Sequence, residues 1–248
     1  MKMFNKIALS AGLLAVAASA QATVVDFQAL ADSTLGESAF TTYNPYPPYS
    51  ANIDITATGP NGAAYVYFDS GEAGMGVCER LVAGASTGAN PGDTANLCYD
   101  SNDDNADVAN EALTFTFNES TSIDGIWFNN NHDPDWSLTG NTVTFSLNGG
   151  AAIQYMFTAA DALDKPSYDT GLGWLFKFEN LAGIDSGFAV GDTLTIAYGG
   201  DAPDQFYISA IEVPEPAAVA LLGLGLIGLG FAQRRRMKRS LDMSALAG

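Results

Sequence analysis

The stretch YDSNDDNADVANEALTFTF, from Tyr99 to Phe117, holds the densest set of potential metal ligands in the chain. Counting from Asp100, the residues Asp100, Asn102, Asp104 and Glu111 occupy the first, third, fifth and twelfth places of a calcium-loop pattern. Calcium takes about six to eight hard oxygen ligands, and alternate residues of a tight loop can aim carboxylate and amide oxygens at one point. A glutamate in the twelfth place can close such a loop with both of its oxygens. Asn105 stands where an EF-hand has glycine, and asparagine is the next residue most willing to take the left-handed conformation. Asp107 fills the eighth place, where an EF-hand is apolar, and a strand-like run follows Glu111 in place of a helix. The expectation is therefore a calcium loop on the edge of a β-domain, with Asp107 as a further candidate ligand. A solvated acidic turn is the other reading of the same residues.

Catalytic constellations are sparse. His132 is the single histidine, and no G-x-S-x-G elbow presents a serine to it. No H-E-x-x-H zinc motif is present. A glycosidase needs only two carboxylates about 5–10 Å apart, and this acidic chain could supply them, although no pair stands out. The chain is expected to be non-catalytic, with a carboxylate-dependent glycan hydrolase as the competing class. His132 and Asp133 end the run IDGIWFNNNHD and are candidates to support the acidic turn, directly or through one of its ligands.

The elements that must position these residues read as strands. ANIDITAT alternates at Ile53 and Ile55, and ALTFTF places Leu113, Phe115 and Phe117 on one face. NTVTFSLN does so with Val143, Phe145 and Leu147, and LGWLFKFE with Trp174, Phe176 and Phe178. QFYISAIEV sets Phe206, Ile208 and Ala210 on one side. Shorter runs are VVDF, AYVYF, IDGIWF and AIQYMF. Period-two alternation between Gly-, Asn- and Asp-rich breaks is the mark of half-buried antiparallel strands. Nine or ten strands without an amphipathic helix predict an antiparallel β-sandwich of jelly-roll type. The loop YNPYPPYS, Tyr43 to Ser50, offers aromatic rings that either stack on a sugar or cover the edge of the sandwich.

Both ends of the chain read as addresses. MKMFNKIALSAGLLAVAASAQA has Lys2 and Lys6, an apolar run from Ile7 to Ala18, and small residues after it. That is a secretory signal peptide, with cleavage expected after Ala22 and, as the lesser option, after Ala20. At the other end GLGLIG, Gly223 to Gly228, has the spacing of a dinucleotide-binding turn, but prolines precede it and no second half-domain follows. Ala217 to Ala232 is instead an uncharged apolar run, near the short end of the roughly 17–25 residues that span a bilayer. Five basic residues between Arg234 and Arg239 would hold its far end on the cytoplasmic side.

The order Pro214-Glu215-Pro216, apolar span, then Arg234, Arg235 and Arg236 resembles the PEP-CTERM protein-sorting signal of exported bacterial proteins. The resemblance implies recognition by the membrane protease exosortase, a transient C-terminal anchor, and processing near the Pro-Glu-Pro motif. It also implies final placement at the cell surface or in the extracellular matrix, often beside polysaccharide. The chain departs from the usual pattern in continuing through SLDMSALAG after the arginines. A second resemblance runs from about Gly74 to Asp133, where G-x-G-V, an acidic turn, E-x-L-T-x-x-F and a strand ending in His-Asp recur in ectodomains of such proteins. It implies shared architecture and no particular activity. The expected organisation is a signal peptide over 1–22, a sandwich over 23–212, the sorting signal over 213–239 and a tail over 240–248.

Export gives the cysteines and charges their meaning. Cys78 and Cys98 are the only two, and an even pair in an exported chain is expected to form a disulfide. The formal net charge of −18 conceals an asymmetry, because seven of the ten basic residues lie in the two addresses. Arg80, Lys165 and Lys177 face 27 carboxylates between Thr23 and Pro216, a balance of −24. Nucleic acid and anionic lipid are thereby excluded as partners of this region, whereas divalent cations and polysaccharide remain.

Overall fold

The computed structural model describes residues 23–47, 49, 52–99, 105–106, 109–130, 138–164, 172–180, 186–199 and 205–214. They belong to a β-rich unit running from Ala22 to Pro214. The chain enters as β1 (Thr23–Asp26) and turns through α1 (Phe27–Leu30), which widens into a π turn over Ala31–Leu35. The Asp26 carboxylate caps this turn by accepting a 2.9 Å hydrogen bond from the Ala29 amide. Then follow β2 (Ser38–Phe40), β3 (Ile53–Gly59), β4 (Gly62–Asp69) and β5 (Gly74–Cys78). The middle of the chain supplies β6 (Ala112–Phe117), β7 (Thr121–Ser122), β8 (Gly125–Asn129), β9 (Thr142–Leu147) and β10 (Ile153–Met156). The last strands are β11 (Ala162–Asp164), β12 (Leu172–Lys177), β13 (Gly187–Phe188), β14 (Thr193–Tyr198) and β15 (Tyr207–Val213).

All described pairings are antiparallel, as the alternating runs predict. Where two separate sheets were expected, one curled sheet forms, in the order β10-β9-β14-β6-β3-β4-β5-β15-β8-β12-β11, with β1 added to β15 and β2 to β4. The small two-stranded pair β7–β13 stands apart from it. Continuity comes from β4. Its first residues pair with β3, while Tyr65–Asp69 pair with β5 and β2 takes over the place of β3. Asn148 and Gly149, both at positive φ, form the tight turn that leads from β9 towards β10, where the Asn-Gly pair suits the twist of the flanking strands.

The inner face is closed by aromatic rings from both halves. Phe145 of β9 stacks on Phe176 of β12 at 4.2 Å and meets Phe128 of β8 edge-on at 6.4 Å. Residues predicted to alternate inward do so: Ile53, Ile55, Leu113, Phe115, Phe117, Val143, Phe145, Trp174, Phe176 and Phe178 all join one core. Ala210 does not. A β-bulge between Ile208 and Ala210 inserts one residue, so Ile208 and Ile211 both reach the core. Ala210 packs instead in a separate cluster with Trp127 and Leu175. Sequence reading passed over six strands: β2, β5, β11 and β14 in the sheet, and the pair β7 and β13 outside it. GMGVC is buried on both faces and so lacks alternation, whereas TLTIAY alternates and was legible. The short helical turn was likewise not foreseen. Among the described residues no helix is long and apolar enough to cross a membrane, and Ala217 to Ala232 lies outside them.

Candidate functional site at the root of the C-terminal segment

β15 sits inside the sheet, with β8 along one edge and β5 and then β1 along the other. Pro214 follows it directly. The polypeptide thus passes from a hydrogen-bonded strand to the Pro-Glu-Pro sequence without an intervening linker. Glu215, Pro216, Arg234, Arg235 and Arg236 lie outside the described residues, as do Ala20 and Ala22.

Beside this departure point is a cavity of about 340 Å³ lined by Asp124, Lys177, Phe178, Glu179, Ser186 and Glu212. It is built around Gly125 of β8, which stands opposite Lys177 of β12 on one side and Glu212 of β15 on the other. A Cβ at position 125 would lie 2.8 Å from Leu175 Cδ1 and 3.4 Å from Glu212 Oε2, so any larger residue would crowd this wall. One oxygen of Glu212 is committed, since it accepts a 2.8 Å hydrogen bond from the Trp127 indole. Three carboxylates and one ammonium therefore line a polar recess over the buried Phe178 ring. Sequence reading missed this recess because four separate segments build it. Lys177, a rare cation in an acidic region, was the one local signal.

The acidic turn is described only in part. Asp100, Asn102, Asp104 and Asp107 lie outside the described residues, as do His132 and Asp133. Ala106 exchanges backbone hydrogen bonds of 3.1 and 3.2 Å with Phe206, and the Asn105 amide donates to Gln205 Oε1 at 3.0 Å. The turn is thus tied to the start of β15. Glu111 is fully buried, and among the described residues the buried Oδ1 of Asn105 has no hydrogen-bond partner. Among the described residues no group of three or more His, Cys, Asp or Glu side chains is placed to hold a metal.

Cys78 and Cys98 form a disulfide across a Cα–Cα distance of 5.8 Å. It packs with Ala39 and Tyr67 in a satellite cluster on β2, β4 and β5. The enclosed loop is held at its neck, where the Val82 amide donates to the Leu97 carbonyl and that of Tyr99 to Arg80. The Arg80 guanidinium lies 3.4 Å from the centre of the Tyr99 ring, a cation–π contact. Tyr67 links this cluster to a buried acid. Its hydroxyl donates to Glu37 Oε2 at 2.6 Å and accepts from the Leu97 amide at 2.7 Å. Glu37 Oε1 also accepts from the Ser70 amide at 2.9 Å. Burial raises the Glu37 carboxyl above its ordinary value, and the charge of Asp69 adds to this, while hydrogen bonds from Ser70 and Tyr67 work against it.

The aromatic loop covers an edge. Tyr43 is buried against Phe27, Phe40 and Phe68, and burial pushes its hydroxyl up to about 12. Tyr49 packs partly on the same core, while Tyr46 is exposed.

Fold and departure point together define a class: an antiparallel all-β domain whose final core strand leads straight into a C-terminal signal. Residues 212–236 match the family model described as PEP-CTERM protein-sorting motif. The chain carries that motif, which marks it for export and sorting to the cell envelope or surface and implies recognition by exosortase with C-terminal membrane anchoring. No curated protein and no solved structure matches the chain.

Proposed function

We propose that this protein is an exported, non-catalytic component of the cell surface or extracellular matrix, whose β-domain is displayed after processing by exosortase. The observation that carries the reading is the match at 212–236, which begins within the last core strand. A cut beyond Pro214 leaves every described strand intact, so a folded body survives processing. The curled sheet is read as a jelly-roll-like sandwich with β4 shared by its two halves. Polysaccharide is the proposed partner. Hydroxyl-rich ligands suit the recess at Asp124, Lys177, Glu179 and Glu212, because carboxylates accept from sugar hydroxyls and the ammonium donates to them. Calcium is the proposed ion for the acidic turn. The buried Glu111 and the unsatisfied Asn105 amide oxygen support it, since buried oxygens of this kind gain from a hard cation.

Intact mass of the protein from cell and medium fractions tests the sorting reading. Loss of the segment beyond the Pro-Glu-Pro motif is expected, and full-length chain in the cytosol would sink it. Binding of soluble polysaccharide without release of reducing sugar is expected of the display domain. Turnover abolished by a single Asp124, Glu179 or Glu212 substitution would establish the hydrolase alternative.

A further inference from the structure

The recess beside the end of β15 holds a more selective set of groups than hydroxyl binding alone requires. Its frame is fixed by backbone bonds: the Asp124 amide donates to the Glu212 carbonyl at 2.8 Å, and the Ile123 amide to the Ser186 carbonyl at 3.0 Å. Strand pairing sets Gly125 opposite both Lys177 and Glu212, and the buried Phe178 ring belongs to the lining. The Trp127 indole holds the Glu212 carboxylate through Oε1, which leaves Oε2 beside Gly125. The site is thus pre-formed. At about 340 Å³ it lies near the low end of the range for small-ligand pockets and takes one sugar ring at a time.

The polar groups of the lining are unevenly matched. Asp124, Glu179 and Glu212 give three carboxylates, against one ammonium from Lys177 and one hydroxyl from Ser186. Carboxylates only accept hydrogen bonds, and an ammonium group on a ligand offers three donors to them. Such charge-assisted bonds are roughly twice as strong as those from neutral donors. A uronate or sulfate group would instead meet like charge, in a region where 27 carboxylates face three basic side chains. Lys177 works against the opposite extreme, because its ammonium repels a ligand made of amines alone. It suits a ligand that carries hydroxyl or ring oxygens beside the amine.

We propose that the recess selects an amino-sugar polysaccharide with free amines, a partly de-N-acetylated hexosamine polymer. The ligand ammonium binds among Asp124, Glu179 and Glu212, while Lys177 and Ser186 donate to hydroxyl and ring oxygens. The proposal rests on the polysaccharide reading and narrows it to one chemical class.

The test uses the protein purified from its exporting host and measures binding by titration calorimetry. The probes are oligomers of glucosamine, N-acetylglucosamine, glucose and a uronic acid, equal in length, with oligolysine as an amine that lacks hydroxyls. The glucosamine oligomer is expected to bind about tenfold tighter than the N-acetylated one, as a single added charge-assisted bond implies, with the uronate weakest. Asp124→Asn and Glu179→Gln, both at exposed positions, should each remove most of that preference. Glu119→Gln removes the same charge outside the recess and should leave the preference intact. Equal loss in Glu119→Gln would trace the preference to the overall acidity of the domain and overturn the proposal. So would oligolysine binding as tightly as the glucosamine oligomer, since a basic peptide would then fit equally well. Equal or tighter binding of any other saccharide would overturn the choice of class and leave the polysaccharide reading standing. If no saccharide binds, the polysaccharide reading falls and the proposal with it.

Discussion

Curling of the sheet can be tested through one pair of rings. Phe145 and Phe176 lie eight strand steps apart in the sheet order, about 38 Å if the sheet were flat at roughly 4.8 Å per step. In the structure their rings are stacked at 4.2 Å with 21° between planes, and both side chains are fully buried. A stacked aromatic pair contributes about 0.5–1.5 kcal/mol beyond the area it buries. Phe145→Leu and Phe176→Leu should each destabilise the mature protein. The double variant should lose less than the sum of the two, by that same coupling of about 0.5–1.5 kcal/mol. Urea unfolding followed by tryptophan fluorescence measures all four corners of the cycle. Distant sites add to within about 0.3–0.5 kcal/mol, so a coupling inside that range would refute a face-to-face arrangement of the two halves.

Three other expectations can be stated, the first two from the structure and the third from the proposed calcium turn. Replacing Cys78 and Cys98 by serine should cost roughly 3 kcal/mol, a fall in melting temperature on the order of 10 °C by calorimetry, because the crosslink closes a loop of 20 residues; an unchanged midpoint would refute it. The raised carboxyl of Glu37 means that the folded state binds its proton more tightly than the unfolded chain does. Its contribution to stability therefore falls as pH rises from the ordinary value of 4.5 through the higher folded value. Glu37→Gln should flatten that part of the pH–stability curve, and parallel curves for the two proteins would count against the buried acid. Millimolar calcium should raise the melting temperature of the wild-type protein, and Asp104→Ala should remove the response; a wild-type midpoint indifferent to calcium would dispose of the site.

The sequence by itself determined the class of this protein. Alternation at positions such as Leu113, Phe115 and Phe117 reports burial of one face, which is a local property of the strand. The Pro-Glu-Pro motif, the apolar run and the arginines are likewise contiguous, so the sorting signal was legible without a fold. Tertiary structure alone decided three other things. The bulge at Ser209 moves Ala210 off the core face, a choice made by the pairing with β8 and invisible in the local run Ile208-Ser209-Ala210-Ile211. The recess around Gly125 draws on segments from Asp124 to Glu212, brought together only by strand order. The pairing of Thr23 with Val213 joins residues 190 positions apart, because closing the sheet leaves one edge of β15 that only the first strand is placed to fill. Local pattern fixes which face of a strand is buried, whereas long-range hydrogen bonding selects its neighbour, and that choice places both departure points of this chain side by side.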